Sequence, residues 1–329
     1  MEDLKVCEIT NDKLPDVQKS KLGFHKIPIK KVGVRNIRVP FKLFIKNGKE
    51  NFSTIATVSS YCDLNEEVKG INMSRIARTL NDILRNNDNK GFKSLEEYAI
   101  KLKDAHGADN IFTKAKFKYI YKIMTPASNI NSYEPVDVIF ESTMFGNKIT
   151  NYITVEKVGM SLCPCSKEMS LLKNNLNEET LNKLKENLSD KEYEFIMRSG
   201  FGAHNQKSIV NIKIEVNNDN LIYIEDLIDI IDSSVSTGTF SVLKREDEKY
   251  ITEVSYLGGY IDDNKKFIEI KNAGPKFVED IARDAANQLN NLLAKNKIND
   301  YVVVVNNQES IHSDEIVATA ILSAGINLI

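Results

Sequence analysis

The spacing of apolar positions changes several times along the chain, and each change predicts an element. Met1 to Lys31 has little periodicity and reads as an extended lead-in, with Leu14-Pro15-Asp16-Val17-Gln18 inside it. From Val32 the pattern alternates. Val34, Ile37, Val39, Phe41, Leu43 and Ile45 predict one strand, and Phe52 to Tyr61 a second after an Asn47-Gly48 turn, together a hairpin. Between Gly70 and Asn86 the spacing becomes helical, with Met73, Ile76, Leu80 and Ile83 on one face. Ser94-Leu95-Glu96-Glu97 has the form of a capping box and predicts a second helix to Ala105.

Thr113 to Ile123 and Val136 to Glu156 are again β-rich, the latter turning at Gly146-Asn147. Asn177 to Met197 is a charged helical segment with an apolar stripe at Leu181, Leu184 and Leu188, and Ser189-Asp190-Lys191-Glu192 predicts a second helix start within it. Then come a strand from Ile209 to Val216, a helix from Ile224 to Ser234 and a β-like stretch from Thr239 to Val254. A charged, glycine-bearing insertion runs from Leu257 to Asn272. A long helix from Pro275 to Lys295, with proline in its first turn, a strand from Tyr301 to Asn306 and a last helix near Ser313 complete the pattern. Strand pairs followed by helix pairs, twice over, predict an α+β protein with antiparallel sheets and helices on one face. The expected organisation is a lead-in over 1–31, a first module over 32–134 and a second over 135–329. The second module carries a helical insertion at 171–200 and a loop insertion at 257–272.

Composition narrows the class. With 329 residues and 42% apolar content there is material for two ordinary cores. The 44 basic and 46 acidic side chains leave a net charge of -2, which predicts no attraction to nucleic acid or membrane. Four cysteines in so long a chain do not make a disulfide framework, and no apolar run suits a signal sequence or a membrane span. A reducing cytoplasm is the expected location.

Two of those cysteines stand close together in Leu162-Cys163-Pro164-Cys165-Ser166-Lys167-Glu168. Pro164 stiffens the backbone between them and removes an N–H donor. Lys167 would favour thiolate, the form that attacks electrophiles or binds metal, if the side chains meet. Two buried core thiols are the plain alternative. The spacing is not the Cys-x₂-Cys of a zinc knuckle and no second pair occurs, so a closed zinc ribbon is not predicted. Any further ligands must come from far away in sequence. Of the four histidines, His204 lies just before a predicted strand and His312 just after another, where rigid scaffolds present functional groups. His25 and His106 read as surface residues. A single loop histidine is ordinarily solvated, so neither His204 nor His312 defines a site alone.

Seven strings occur in an order that resembles GTP cyclohydrolase type IB. They are Leu14 to Gln18, Lys69-Gly70-Ile71-Asn72-Met73-Ser74-Arg75, Leu162 to Glu168, Gly202-Ala203-His204-Asn205-Gln206-Lys207-Ser208, Leu243-Lys244-Arg245-Glu246-Asp247-Glu248-Lys249, Lys276-Phe277-Val278-Glu279-Asp280 and Glu309-Ser310-Ile311-His312. The resemblance spans nearly the whole chain and implies the tunnelling fold (T-fold): two tandem strand-strand-helix-helix modules per chain, subunits assembling into barrels, a homotetramer with active sites near subunit interfaces. The implied reaction opens the imidazole ring of GTP, releases C8 as formate and closes a pterin ring to give 7,8-dihydroneopterin triphosphate, the entry to folate. Implied metal ligands are Cys163, His204, Glu248 and His312, around zinc, manganese or iron(II). A thiolate, imidazole and carboxylate set suits a first-row divalent ion with room for water. Glu279 is implied to hold the guanine edge, and Cys165 to assist proton transfer or substrate contact. Lys167 and Lys207, with Lys244, Lys249 and Arg75, are candidates for the triphosphate.

Two departures from the family pattern qualify the transfer. The helical excursion separates Cys165 from His204, so the ligands meet only if it loops out and returns. The second insertion separates Glu248 from Glu279, leaving Glu246 and Glu253 as alternatives to Glu248. Alternative activities are the archaeal cyclohydrolase that gives a cyclic phosphate, a tunnelling-fold nitrile reductase of queuosine synthesis, and a non-enzymatic purine or metal sensor.

Overall fold

The structure, a computed structural model, describes residues 25–44, 46, 51–86, 91–200, 202–220 and 222–326. The expected lead-in up to residue 24 and the Asn47-Gly48 turn lie outside the described residues. The described chain falls into two compact units. The first comprises residues to Lys42, Ala56–Ala115 and Glu141–Ile149; the second comprises Leu43–Ile55, Lys116–Phe140 and Thr150 onward. Among the described residues, no helix is long and apolar enough to cross a membrane.

In the first unit, portions of β1 (Ile29–Phe44), β2 (Asn51–Leu64) and β3 (Asn110–Met124) follow one another, together with the turn that joins β4 (Asn131–Phe145) to β5 (Lys148–Leu162). Helices α1 (Met73–Asn86) and α2 (Phe92–His106) belong to it. Helical spacing puts Ile76, Leu80 and Ile83 of α1, and Leu95, Tyr98, Ala99 and Leu102 of α2, into the core. Asp63 seats the start of β3: its carboxylate accepts from the backbone N–H groups of Asp109 and Asn110, each at 3.0 Å. The expected capping box does not form. The helix begins at Phe92, two residues before Ser94, which lies buried inside it.

In the second unit, β5, β6 (Asn205–Val216), β10 (Ile298–Gln308) and β11 (Val317–Ser323) form consecutive antiparallel neighbours, and the two-residue β7 (Thr237–Gly238) also pairs with β5. The inward rows Val210, Ile212 and Ile214, then Val303 and Val305, alternate with half-buried residues, while in β5 Ile153 and Val155 flank Thr154, which is also buried. Helices α7 (Ile224–Ser234) and α9 (Val278–Ala294) supply Leu227, Ile228 and Ile231, and Ile281, Ala282, Ala285 and Leu289, to the same core. At roughly 25 cal/mol per Å² of apolar surface, this burial is the main stabilising term.

After α3 (Pro164–Met169), the excursion folds as α4 (Leu172–Asn175), α5 (Glu178–Asn187) and α6 (Asp190–Arg198). The helix start predicted at Ser189 is present, with both reciprocal capping bonds formed by Ser189 and Glu192. An isolated bridge between Leu171 and Gly200 closes its base, so the chain does loop out and return.

Three sequence expectations are corrected. The stretch read as β-like contains a helix, α8 (Arg245–Leu257). Its Tyr250, Val254 and Leu257 follow helical spacing, Glu246, Asp247 and Glu248 suit the positive end of the dipole, and Gly258 ends it at φ 75°. No helix begins near Ser313; the chain turns and returns as β11, with Val317 opposite Gln308. Helix α9 starts at Val278, leaving Pro275 outside it. There the Asp280 carboxylate accepts from Phe277 N–H at 3.0 Å. Short strands β8 (Gly259–Ile261) and β9 (Phe267–Glu269) make a separate hairpin in the 257–272 insertion.

Asp247 anchors α8. Its carboxylate has no exposed surface and accepts from Ala127 N at 3.0 Å, Ser128 N at 2.8 Å, Ser128 Oγ at 2.6 Å and Lys244 N at 2.9 Å. Burial alone would raise its pKa, but the bonds from Ser128, Lys244 and Ala127 outweigh that and hold the carboxyl well below the usual range. Because the folded pKa is depressed, this contribution to stability is present in full above about pH 4 and is lost as pH falls through the folded value. Asp247→Ala is expected to lower the unfolding free energy by about 3 kcal/mol. Glu248→Ala, next to it but exposed, should stay within about 0.5 kcal/mol. Urea denaturation followed by circular dichroism checks both.

Candidate active site

Strand register builds the site. The β5–β6 ladder runs from Tyr152 opposite Glu215 to Leu162 opposite Asn205, and is extended by Cys163 N–H donating to His204 C=O at 3.1 Å. Cys163 and His204 therefore meet across the end of one ladder, although residues 164–203 lie between them. The Cys163 thiol accepts from Ser166 N–H at 3.5 Å. Ser166 Oγ also accepts from His204 N–H at 3.3 Å. Cys163 and His204 are both half-buried, whereas Cys165 is exposed. His204 Nδ1 is buried and has no hydrogen-bond partner among the described residues.

Other segments converge on this corner. Leu162 N–H donates to Ser236 Oγ at 3.3 Å, and Leu162 C=O accepts from Lys276 N–H at 3.0 Å. The latter bond ties the approach to α9 beside Cys163, with Glu279 exposed in the first helical turn. Tyr256, near the end of α8, clamps the other side: its hydroxyl accepts from Ala203 N–H at 3.0 Å and donates to Ala203 C=O at 2.8 Å. Lys167 Nζ donates to the Tyr256 carbonyl rather than meeting either thiol. Burial, then the neighbouring Arg198 charge, lowers the Lys167 pKa against an opposing effect of Glu168. A cavity of about 430 Å³ lies alongside, lined by Pro164, Lys167, Lys173, Arg198 and Pro275 among others.

Toward this end the inward face of the sheet turns polar. Ser161 lies opposite Gln206, and the register that sets Lys207 against Gln308 brings Gln206 to Glu309. Ser161 Oγ donates to Gln206 Oε1 at 3.2 Å, Asn307 Nδ2 donates to Ser161 Oγ at 3.2 Å, and Gln206 Nε2 donates to the Glu309 carboxylate. Although Asn307 Oδ1 and Ser208 Oγ are buried here without a partner among the described residues, bonded polar rows of this kind fix geometry where apolar packing would leave freedom. They fasten the loop that carries His312 to the same end of the sheet as Cys163 and His204. His312 itself is exposed.

Glu248 lies apart from that corner along α8: eight residues separate it from Tyr256, about 12 Å of helix, and its side chain is exposed. Of its alternatives, Glu253 accepts from Lys249 Nζ and Ile261 N–H, each at 3.2 Å, and Glu246 is exposed. Lys207 is also exposed, on the outward row of β6. Among the described residues, no three His, Cys, Asp or Glu side chains are grouped so as to hold a metal ion. The Cys163–His204 pair does suit part of such a group, since a residue with a soft donor and one with a borderline donor are joined through their backbones, and the buried His204 Nδ1 has no partner among the described residues. Ser166, Tyr256, Gln206 and Glu309 were not singled out from sequence. Ser166, Gln206 and Glu309 lay within the motif strings, whereas nothing around Tyr256 marked it.

The antiparallel sheet with helices packed on one face is that of the tunnelling fold. A solved hyper-thermostable AgUricase mutant shares it at a TM-score of 0.51, with 7% identity over 91% of this chain and 94% of that one. Sequence comparison is more specific. The family described as type I GTP cyclohydrolase folE2 matches residues 14–258 and 261–318. GTP cyclohydrolase FolE2 of Dictyoglomus turgidum is 35% identical over 301 residues, covering 91% of this chain and 95% of that protein. The protein of the same name from Thermosipho africanus is 32% identical over 298 residues, covering 91% and 94%. The chain belongs to the type I GTP cyclohydrolase FolE2 family.

Tyr256→Phe removes both bonds to Ala203 while keeping the ring. Amide hydrogen exchange at Ala203 should quicken by about tenfold, the equivalent of one lost hydrogen bond, with the β6 and β10 amides unchanged. Mass-spectrometric exchange over the 202–208 peptide reads this directly.

Proposed function

We propose that this chain is a type IB GTP cyclohydrolase, converting GTP and water to 7,8-dihydroneopterin triphosphate and formate as the first step toward tetrahydrofolate. Membership of the FolE2 family over 91% of the chain carries this reading. The reaction needs a group that activates water near C8, a group that fixes the guanine and positive partners for the triphosphate.

Cys163 and His204, with His312 from the adjoining loop and Glu248 as carboxylate, are the residues that would hold a divalent ion. Zinc, manganese and iron(II) all suit this set. When bound, the ion supplies a water of lowered pKa for attack at C8. The exposed positions of His312 and Glu248 suit a homotetramer in which neighbouring copies complete each site. Glu279, free at the start of α9, accepts two roughly parallel N–H bonds from the guanine edge, which an adenine cannot offer. Cys165, exposed in the first turn of α3, moves a proton or contacts substrate. Lys207 and Lys167 receive phosphate oxygens. Lys167 still has two ammonium hydrogens left after its bond to Tyr256. A reducing cytoplasm suits the free thiols.

Anaerobically purified protein supplied with each of the three metals and GTP should release formate, with a pterin that fluoresces after oxidation. Absence of both products with every metal would overturn the reading. Glu279→Gln should raise KM for GTP by about 10- to 100-fold through loss of a charge-assisted bond pair. Glu248→Gln should abolish metal-dependent turnover, and full activity in that variant would remove Glu248 from the ligand set.

A further inference from the structure

A second cavity, of about 840 Å³, lies between α6 and the β8–β9 hairpin. Leu188, Phe195 and Ile196 of the excursion line one side, and Leu257, Ile261 and Phe267 the other. All six are half-buried. Phe195 and Phe267 set their rings 6.2 Å apart at 59°. Its size falls within the usual few hundred to about 1,000 Å³ of small-ligand pockets.

Charge at the rim is net positive. Glu194 is paired with Arg198 at 2.7 Å. Glu192 is committed to the α6 cap, where it accepts from Ser189 N–H at 2.9 Å. Lys191, Lys265 and Lys266 also line the cavity and are exposed. None of these three ammonium groups has an ion pair or hydrogen-bond partner among the described residues. An apolar floor with an aromatic pair, beneath a rim where Arg198 and three lysines outnumber Glu192 and Glu194, is complementary to a flat hydrophobic body carrying an anionic group.

We infer that this cavity, which adjoins the smaller one beside the Cys163–His204 corner through Glu194 and Arg198, is a binding site for a small aromatic anion, an inference independent of the cyclohydrolase reading. The probe is 8-anilino-1-naphthalenesulfonate, titrated into the full-length protein and followed by its own fluorescence, since the chain has no tryptophan. One saturable site per chain is expected. The combined substitution Lys191→Gln/Lys265→Gln/Lys266→Gln should weaken it at least tenfold while the far-ultraviolet circular dichroism stays unchanged. Uncharged N-phenyl-1-naphthylamine should bind more weakly and be indifferent to the lysine changes. Phe267→Ala should weaken both probes. Two outcomes would overturn the inference: no saturable binding to the parent protein, or equal affinity in the triple variant. In the first case, loss of oligomeric state in Phe267→Ala would show that a second copy covers the groove.

Discussion

The antiparallel register shared by β5, β6 and β10 is the constraint from which the site follows. A shift of one residue would turn every inward side chain outward. It would expose Ile212, Ile214, Val303 and Val305 to water and bring Lys207 and Lys213 into the core. The burial of those apolar rows against α7 and α9 therefore holds the register, and the register in turn sets Cys163 against His204. Hydrophobic energy at one end of the sheet supplies geometric accuracy at the other.

Along that sheet the inward face changes character. The apolar rows give way to Ser161, Gln206, Asn307 and Glu309, which bond across three strands. Where the ladder stops, side-chain bonds from Ser166, Ser236 and Tyr256 take over the positioning of the backbone. The excursion 171–200 tolerates its length because both ends are fixed. The Leu171–Gly200 bridge and the Cys163–His204 bond close it, and closure entropy grows only slowly with loop length.

Much of this fold was legible because local pattern and tertiary demand agreed. The Gly146-Asn147 turn between β4 and β5, helix α7 and the capping box at Ser189 all appeared where the periodicity placed them. Three of the misreadings share one cause, a distant partner. Helix α8 takes its start from Asp247 bonding to Ala127 and Ser128, far away in sequence. The chain near Ser313 becomes a strand because β10 offers it an edge. Ser94 had the form of a cap but was drawn into the core. At the site, the motif strings identified Cys163 and His204 as residues, whereas their contact depended on a ladder register that no local spacing encodes. Tyr256 had no signal because its role is to bond a backbone segment from another element.

The most direct test of the account asks whether positions 163 and 204 stand opposite one another. Residues facing each other across an antiparallel ladder have Cα atoms about 5 Å apart, within the range a disulfide spans. His204→Cys combined with Cys165→Ser, exposed to a mild oxidant and mapped by tryptic mass spectrometry, should link the introduced thiol to Cys163 in high yield, with the fold intact by circular dichroism. A folded variant whose new thiol stays free, or joins Cys7 or Cys62 instead, would contradict the register on which the site depends.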